Sequence, residues 1–197
     1  MIRWVFAALF AVISSMALAR GPVGVFPSID GGTLDMSEWS GQPVLVVNTA
    51  SQCAFTGQYA ELQALYDTYR SRGLVVLAVP SDDFNQELDT AAEVKEFCAL
   101  NYDMDLPMTD ITSVKGTTAH PFFKAVKAQT GFVPKWNFNK VLIGPDGAVV
   151  ATGGSATTPT SRKITAQIEP WLNETDPGHK RPVPTASWRG LVPNSRR

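Results

Sequence analysis

Histidine and cysteine are scarce in this chain, two of each in 197 residues: His120 and His179, Cys53 and Cys98. The histidines stand far apart with no companions at ligand spacing, so no metal site is expected, and no glycine-rich phosphate loop points to a nucleotide or other cofactor. His120, directly before Pro121, reads as structural. Charge of one sign is also missing: 17 Lys and Arg against 18 Asp and Glu leave a formal net charge of -1. That balance argues against nucleic acid as a partner, because phosphate binding needs a basic face. Nor does Cys53 have a second cysteine three residues on, since that position is Thr56. The Cys-X-X-Cys pair of an ordinary thiol-disulfide oxidoreductase is therefore absent.

Long apolar runs are confined to the beginning, where Trp4 to Met16 is short for a membrane span and is soon followed by Arg20, Gly21 and Pro22. With Arg3 as a positive n-region and Ala17-Leu18-Ala19 as a small-residue cleavage site, residues 1–19 read as a signal peptide, an uncleaved anchor being the alternative. Cleavage predicts an exported protein, most simply in a bacterial periplasm. Thiols oxidise in such a compartment, so the two cysteines by themselves predict one structural disulfide.

What remains is enough for one domain, residues 20–173, and the whole chain, at 44% hydrophobic and 18% charged, has the composition of a globular core-former. Residues 174–197 differ: Pro177, Pro182, Pro184 and Pro193 alternate with Lys180, Arg181, Arg189, Arg196 and Arg197. Such a segment buries too little apolar surface to order itself and is expected to be a flexible tail.

Val44 to Val47 is apolar without alternation, the pattern of a strand buried on both faces. Asn48 to Gln52 lead from it to Cys53, and Tyr59, Leu62, Leu65, Tyr66 and Tyr69 then recur at helical spacing, from about Thr56 until Gly73. Leu74 to Val79 repeats the buried-strand pattern. A strand, helix, strand order implies a right-handed crossover and a parallel pair, with reactive groups gathered at the strands' carboxyl ends. Cys53 lies beyond the first such end, where unpaired N–H groups favour a thiolate. A small buried hydrophobe is the equal alternative, since free cysteine is among the most buried residue types.

The rest of the chain reads as an entry turn over Phe26 to Gly41, a helix over Ala91 to Leu100 capped by Asp89 or Thr90, an extended Leu106 to Met108, and a short helix from Pro121 to Ala128. A hairpin follows over Lys140 to Ile143 and Ala148 to Ala151, turning at Gly144-Pro145-Asp146-Gly147, with a closing helix over Pro159 to Leu172. The fold class is α/β: a thioredoxin-like fold with a central, mostly parallel sheet, an antiparallel hairpin, and helices on both faces.

Three stretches, VVNTASQCAFTGQYAELQALYDTY, AVPSDDFNQELDTAAEVKEFCALNYDMDLPM and KWNFNKVLIGPDGAVV, resemble the signature regions of the glutathione peroxidase family in order and spacing, from about Gly24 to Leu172. The resemblance implies a peroxidatic role for Cys53, and for Gln86, Trp136 and Asn137 the role of donors around its sulfur. Amide and indole N–H groups in that position favour the charged thiolate over the neutral thiol. Cys98, in EVKEFCALNY, resembles the resolving cysteine of the thioredoxin-dependent, two-cysteine branch, which closes a disulfide on the oxidised Cys53.

Where the chain departs from the family, the implications change. Ser81 stands where many members carry a further cysteine. Asp82 and Asp83 replace an Asn-Gln pair in a loop about one residue shorter, which puts the placement of Gln86 in question. The short segment between Ala128 and Trp136 lacks the insertion that builds tetramers, so a monomer is expected. The resemblance thus implies hydrogen peroxide or an organic hydroperoxide as substrate and a thioredoxin-like protein or glutathione as reductant. The competing expectation is a thioredoxin-fold protein without peroxidase activity, either a thiol-disulfide oxidoreductase or a binding module with a permanent Cys53 to Cys98 staple.

Overall fold

The computed structural model describes residues 24–173. The expected signal peptide, residues 1–19, and the expected tail, 174–197, lie outside the described residues, as do the first positions of the expected domain. The chain enters through a small antiparallel hairpin, β1 (Val25–Pro27) with β2 (Thr33–Asp35). The buried run becomes β3 (Val44–Thr49), followed by α1 (Gln58–Tyr69) and β4 (Val75–Pro80). Then come α2 (Ala91–Tyr102), α3 (Pro121–Thr130), the hairpin strands β5 (Lys140–Ile143) and β6 (Val149–Gly153), and α4 (Arg162–Ile168).

The four-stranded sheet has the order β4-β3-β5-β6. β3 and β4 pair in parallel from Val44 opposite Val75 to Thr49 opposite Pro80, as the crossover requires. β3 with β5 and β5 with β6 are antiparallel. Three strands therefore point one way and β5 runs against them, so the sheet is mixed, with one parallel ladder. A strand, helix, strand half joined to a hairpin-and-helix half, with helices on both faces, is the thioredoxin-like arrangement.

Alternation along the strands explains the unbroken apolar runs. Leu45, Val47, Val76, Ala78 and Leu142 face one layer, where they meet Tyr59, Leu62 and Leu65 of α1, Val94 and Cys98 of α2, and Ile164 and Ile168 of α4. Val44, Val46, Val75, Leu77, Val79, Val141 and Ile143 face the other, against Phe26, Trp39 and Phe122, Phe123 and Val126 of α3. Each side of the sheet is a core, so no strand residue had to be polar for solvent's sake.

The element ends differ from the sequence reading where capping decides them. α1 starts at Gln58, two residues after Thr56, because the chain first passes through a run of turns around Cys53. The closing helix is shorter than expected: α4 covers Arg162–Ile168, and Glu169–Trp171 tighten into a 3-10 turn with Pro170 inside it. α2 has a stronger start than its sequence suggested. Thr90 accepts from the Glu93 N–H at 3.2 Å while Glu93 accepts from the Thr90 N–H at 3.0 Å, a full capping box. His120 is structural as expected: it caps α3, stacks on Phe26 at 3.9 Å, and burial lowers its pKa.

Candidate active site

The turns between β3 and α1 hold Cys53 at the carboxyl end of the central strand, 7% exposed. Thr56 closes them. Its hydroxyl accepts from the Cys53 N–H at 3.1 Å and donates back to the Cys53 carbonyl, and the Thr56 N–H reaches that same carbonyl at 3.0 Å. The Cys53 Sγ in turn accepts from the Phe55 N–H at 3.5 Å, so one backbone donor already faces the sulfur.

Gln86 reaches the same place despite the shortened loop. The Gln52 N–H, next to Cys53, donates to the Gln86 carbonyl at 2.9 Å, and the Gln86 Oε1 accepts from the Asn137 Nδ2 at 3.0 Å. The two aspartates that replace the family's Asn-Gln pair hold this loop. Asp82 accepts from the Glu87 N–H, and Asp83 accepts from the Ser113 hydroxyl and the N–H groups of Val114 and Lys115. The loop is thus tied at both ends of its turn.

Trp136 and Asn137 come from the segment before β5. Trp136 is 41% exposed and its ring lies 5.4 Å from that of Phe84, centroid to centroid, while Asn137 is fully buried with its Oδ1 unpartnered. Phe138, next along, adopts a left-handed φ of 58°, which turns the chain so that Trp136 and Asn137 precede the strand instead of joining it. Gln86, Asn137 and the Cys53 turn are therefore linked by hydrogen bonds. Cys98 arrives from beneath, on α2, fully buried in the same core layer as Cys53, and both cysteines are free thiols.

The family model described as glutathione peroxidase matches residues 25–127, and a glutathione peroxidase of Lactococcus lactis subsp. cremoris is 41% identical over 66% of this chain and 87% of its own length. The chain belongs to the glutathione peroxidase family. A hydroperoxy fatty acid reductase of Synechocystis sp. is 38% identical over 74% of this chain and 91% of its own. The crystal structure of Trgpx in apo form superposes with a TM-score of 0.58 at 32% identity, covering 74% of this chain and 93% of that one. This glutathione peroxidase family member is a thiol peroxidase of thioredoxin-like fold.

In this peroxidase the supporting residues are ones that sequence reading did not single out. Asn48, inside the apolar β3 run, donates from Nδ2 to the Trp136 carbonyl at 3.0 Å and accepts at Oδ1 from the Asn139 N–H at 3.1 Å. Its backbone carbonyl accepts from the Phe138 N–H at 2.6 Å. Ser155, beyond β6, donates to the Asn137 carbonyl at 2.5 Å. Lys140 is buried on β5 and donates to Gln58 at the start of α1 and to the Phe138 carbonyl at 2.7 Å. A polar residue in an apolar strand, as at Asn48 and Lys140, was the one available signal.

The two sulfurs live in different surroundings. Burial pushes the Cys98 thiol up to about 12; Tyr59 works against that rise and the charge of Glu87 adds to it. Cys98 rests as a neutral thiol, while Cys53 sits beside a backbone N–H at the edge of the site.

Proposed function

We propose that Cys53 is the peroxidatic cysteine, attacking the O–O bond of a hydroperoxide in line to give a Cys53 sulfenic acid and water or an alcohol. Gln86, Trp136 and Asn137 supply N–H donors to the sulfur and to the departing oxygen. The observation that supports this most is the hydrogen-bonded linkage of the Cys53 turn through Gln52 and Gln86 to Asn137, formed by segments far apart in the chain. Cys98 then condenses with the sulfenic acid as an intramolecular disulfide, which a thioredoxin-like protein reduces; glutathione is the weaker candidate because a second thiol stands ready within the chain.

Organic hydroperoxides belong beside hydrogen peroxide as substrates, in keeping with the name of the Synechocystis relative. The half-exposed Trp136 indole leaves the approach to the site open to a larger peroxide. Export follows from residues 1–19, and the working form is a monomer.

The test is single-turnover reaction of the reduced chain with hydrogen peroxide, read by thiol counting and mass spectrometry. Wild type is expected to lose both thiols rapidly, Cys98→Ser to trap a sulfenic acid on Cys53, and Cys53→Ser to be inert. A Cys53→Ser chain that still consumes peroxide would overturn the assignment.

A further inference from the structure

Phe138 is a bulky residue in the left-handed region, at φ 58°, between Asn137 and the start of β5. Such a backbone persists only where its surroundings over-determine it. Three successive carbonyls in this turn accept from side chains: Trp136 from Asn48 Nδ2 at 3.0 Å, Asn137 from the Ser155 hydroxyl at 2.5 Å, and Phe138 from Lys140 Nζ at 2.7 Å. Buried carbonyls need such partners wherever a ladder does not supply them. The three donors come from β3, from the turn after β6 and from β5.

Two of these grips are joined to each other by Gln58. Its Nε2 donates to the Ser155 carbonyl at 2.6 Å and its Oε1 accepts from Lys140 Nζ, while Asn139 Nδ2 donates to Ser155 Oγ at 3.0 Å. Gln58 is also the first residue of α1 and is buried. Its N–H donates to the Phe55 carbonyl at 2.9 Å, and the Phe55 N–H is the one that faces Cys53 Sγ. The turn that holds the sulfur and the turn that holds Asn137 therefore share one hydrogen-bonded frame.

Asn137 depends on that frame. Its side chain is fully buried, with Nδ2 donating to Gln86 Oε1 at 3.0 Å and Oδ1 unpartnered. One side-chain bond does not fix an amide, so the backbone of the turn sets its aim. Lys140 is a costly way to hold a turn, because a buried charge loses its hydration. Its ammonium is nevertheless directed at Gln58 and at the Phe138 carbonyl. We propose that Ser155 and Lys140, joined by Gln58, are positioning residues of the peroxidatic step, holding the turn that aims the Asn137 amide.

This rests on Asn137 being a donor in the attack of Cys53 on a peroxide, and identifies what keeps that donor in place. Neither Ser155 nor Lys140 touches the peroxide; both act through the backbone of the Asn137 turn. Misplacing a reacting group by about 1 Å can cost about 100-fold in rate. Losing one grip leaves two others on the turn, so the cost is expected to lie between about tenfold and about 100-fold.

The experiment compares two reactions of Cys53 in the reduced full chain, both read by quenched mass spectrometry: oxidation by hydrogen peroxide, and alkylation by iodoacetamide, which has no departing oxygen. Ser155→Ala is expected to slow oxidation by about tenfold to 100-fold and to leave alkylation within about threefold of wild type. Ser155→Thr keeps the hydroxyl and should restore oxidation to within about threefold. Ser155 is only half-buried, so the pair is suited to the comparison. Lys140→Met removes the ammonium on a side chain of similar length. It should behave as Ser155→Ala does, and it decides the matter if Ser155→Ala does not fold.

In the Asn137→Ala background, Ser155→Ala should change oxidation by less than about twofold, because the amide it aims is gone. Losses that add in full would overturn the proposal, and so would wild-type oxidation in Ser155→Ala or in a folded Lys140→Met. Alkylation slowed as much as oxidation would overturn it too, since the fault would then lie at the sulfur. A Ser155→Thr chain as slow as Ser155→Ala would do the same. Wild-type oxidation in Asn137→Ala would remove the role of Asn137 itself, and that failure shows with Ser155 and Lys140 intact.

Discussion

Lys140 shows how a single residue can couple the site to stability. It is 1% exposed, and its ammonium donates to Gln58 and to the Phe138 carbonyl, with no ion-pair partner among the described residues. Burial lowers its pKa from 10.5 to about 8, with the charge of Glu61 acting the other way. Between those values the unfolded chain holds more protons than the folded one, so stability rises with pH there. The contribution of Lys140 is present above the unfolded value and is lost as pH falls through about 8. The stability of wild type relative to Lys140→Met is expected to increase between about pH 8 and 10.5, measured by denaturant titration at several pH values; a difference that stays flat would count against it. Residues of this kind were hidden in the sequence for a physical reason. The partners of Asn48 at Trp136 and of Lys140 at Gln58 are 88 and 82 positions away, and no local pattern announces them.

Among the elements, α2 carries the heaviest demand under the proposed mechanism, because Cys98 is fully buried on it and a disulfide needs Cα atoms within about 7 Å. The capping box of Thr90 and Glu93 holds its first turn, and Asp103 ends it in a left-handed conformation. Thr90→Ala is expected to destabilise the protein by about 1 kcal/mol, the usual loss for a side-chain cap, and to speed amide exchange along Ala91–Tyr102. Equal exchange in variant and wild type would show that the box does not hold the helix. Both the existence of α2 and its apolar stripe were legible from periodicity. The strength of its start was not, since Thr-X-X-Glu closes reciprocally only when the backbone enters at the right angle.

At the scale of the molecule, the sheet divides the interior into two layers that differ in function. The layer of α1, α2 and α4 contains both cysteines, whereas the layer of α3 contains neither cysteine. Phe122 is fully buried in the α3 layer, across the sheet from the layer that holds both cysteines. Phe122→Ala is expected to cost about 3–5 kcal/mol of stability through its cavity. In molecules that remain folded, the single-turnover rate at Cys53 should stay within about twofold of wild type, since the usual additivity of separated sites applies. A proportionate loss of the peroxide reaction would show that the two layers are coupled.

The sequence by itself determined the strands, the helices and the family, because buried strands, amphipathic helices and signature segments are written in local order. Cys53, Gln86, Trp136 and Asn137 were legible as candidates on that basis. Only the tertiary structure decided that β5 runs against β3, that the turns around Cys53 delay α1 to Gln58, and that Asp82 and Asp83 anchor the loop carrying Gln86. It alone buried Glu87, Tyr59 and Cys98. These outcomes depend on which distant groups share a low-dielectric interior, where an unpaired polar atom is costly, and that cost is set by packing in three dimensions.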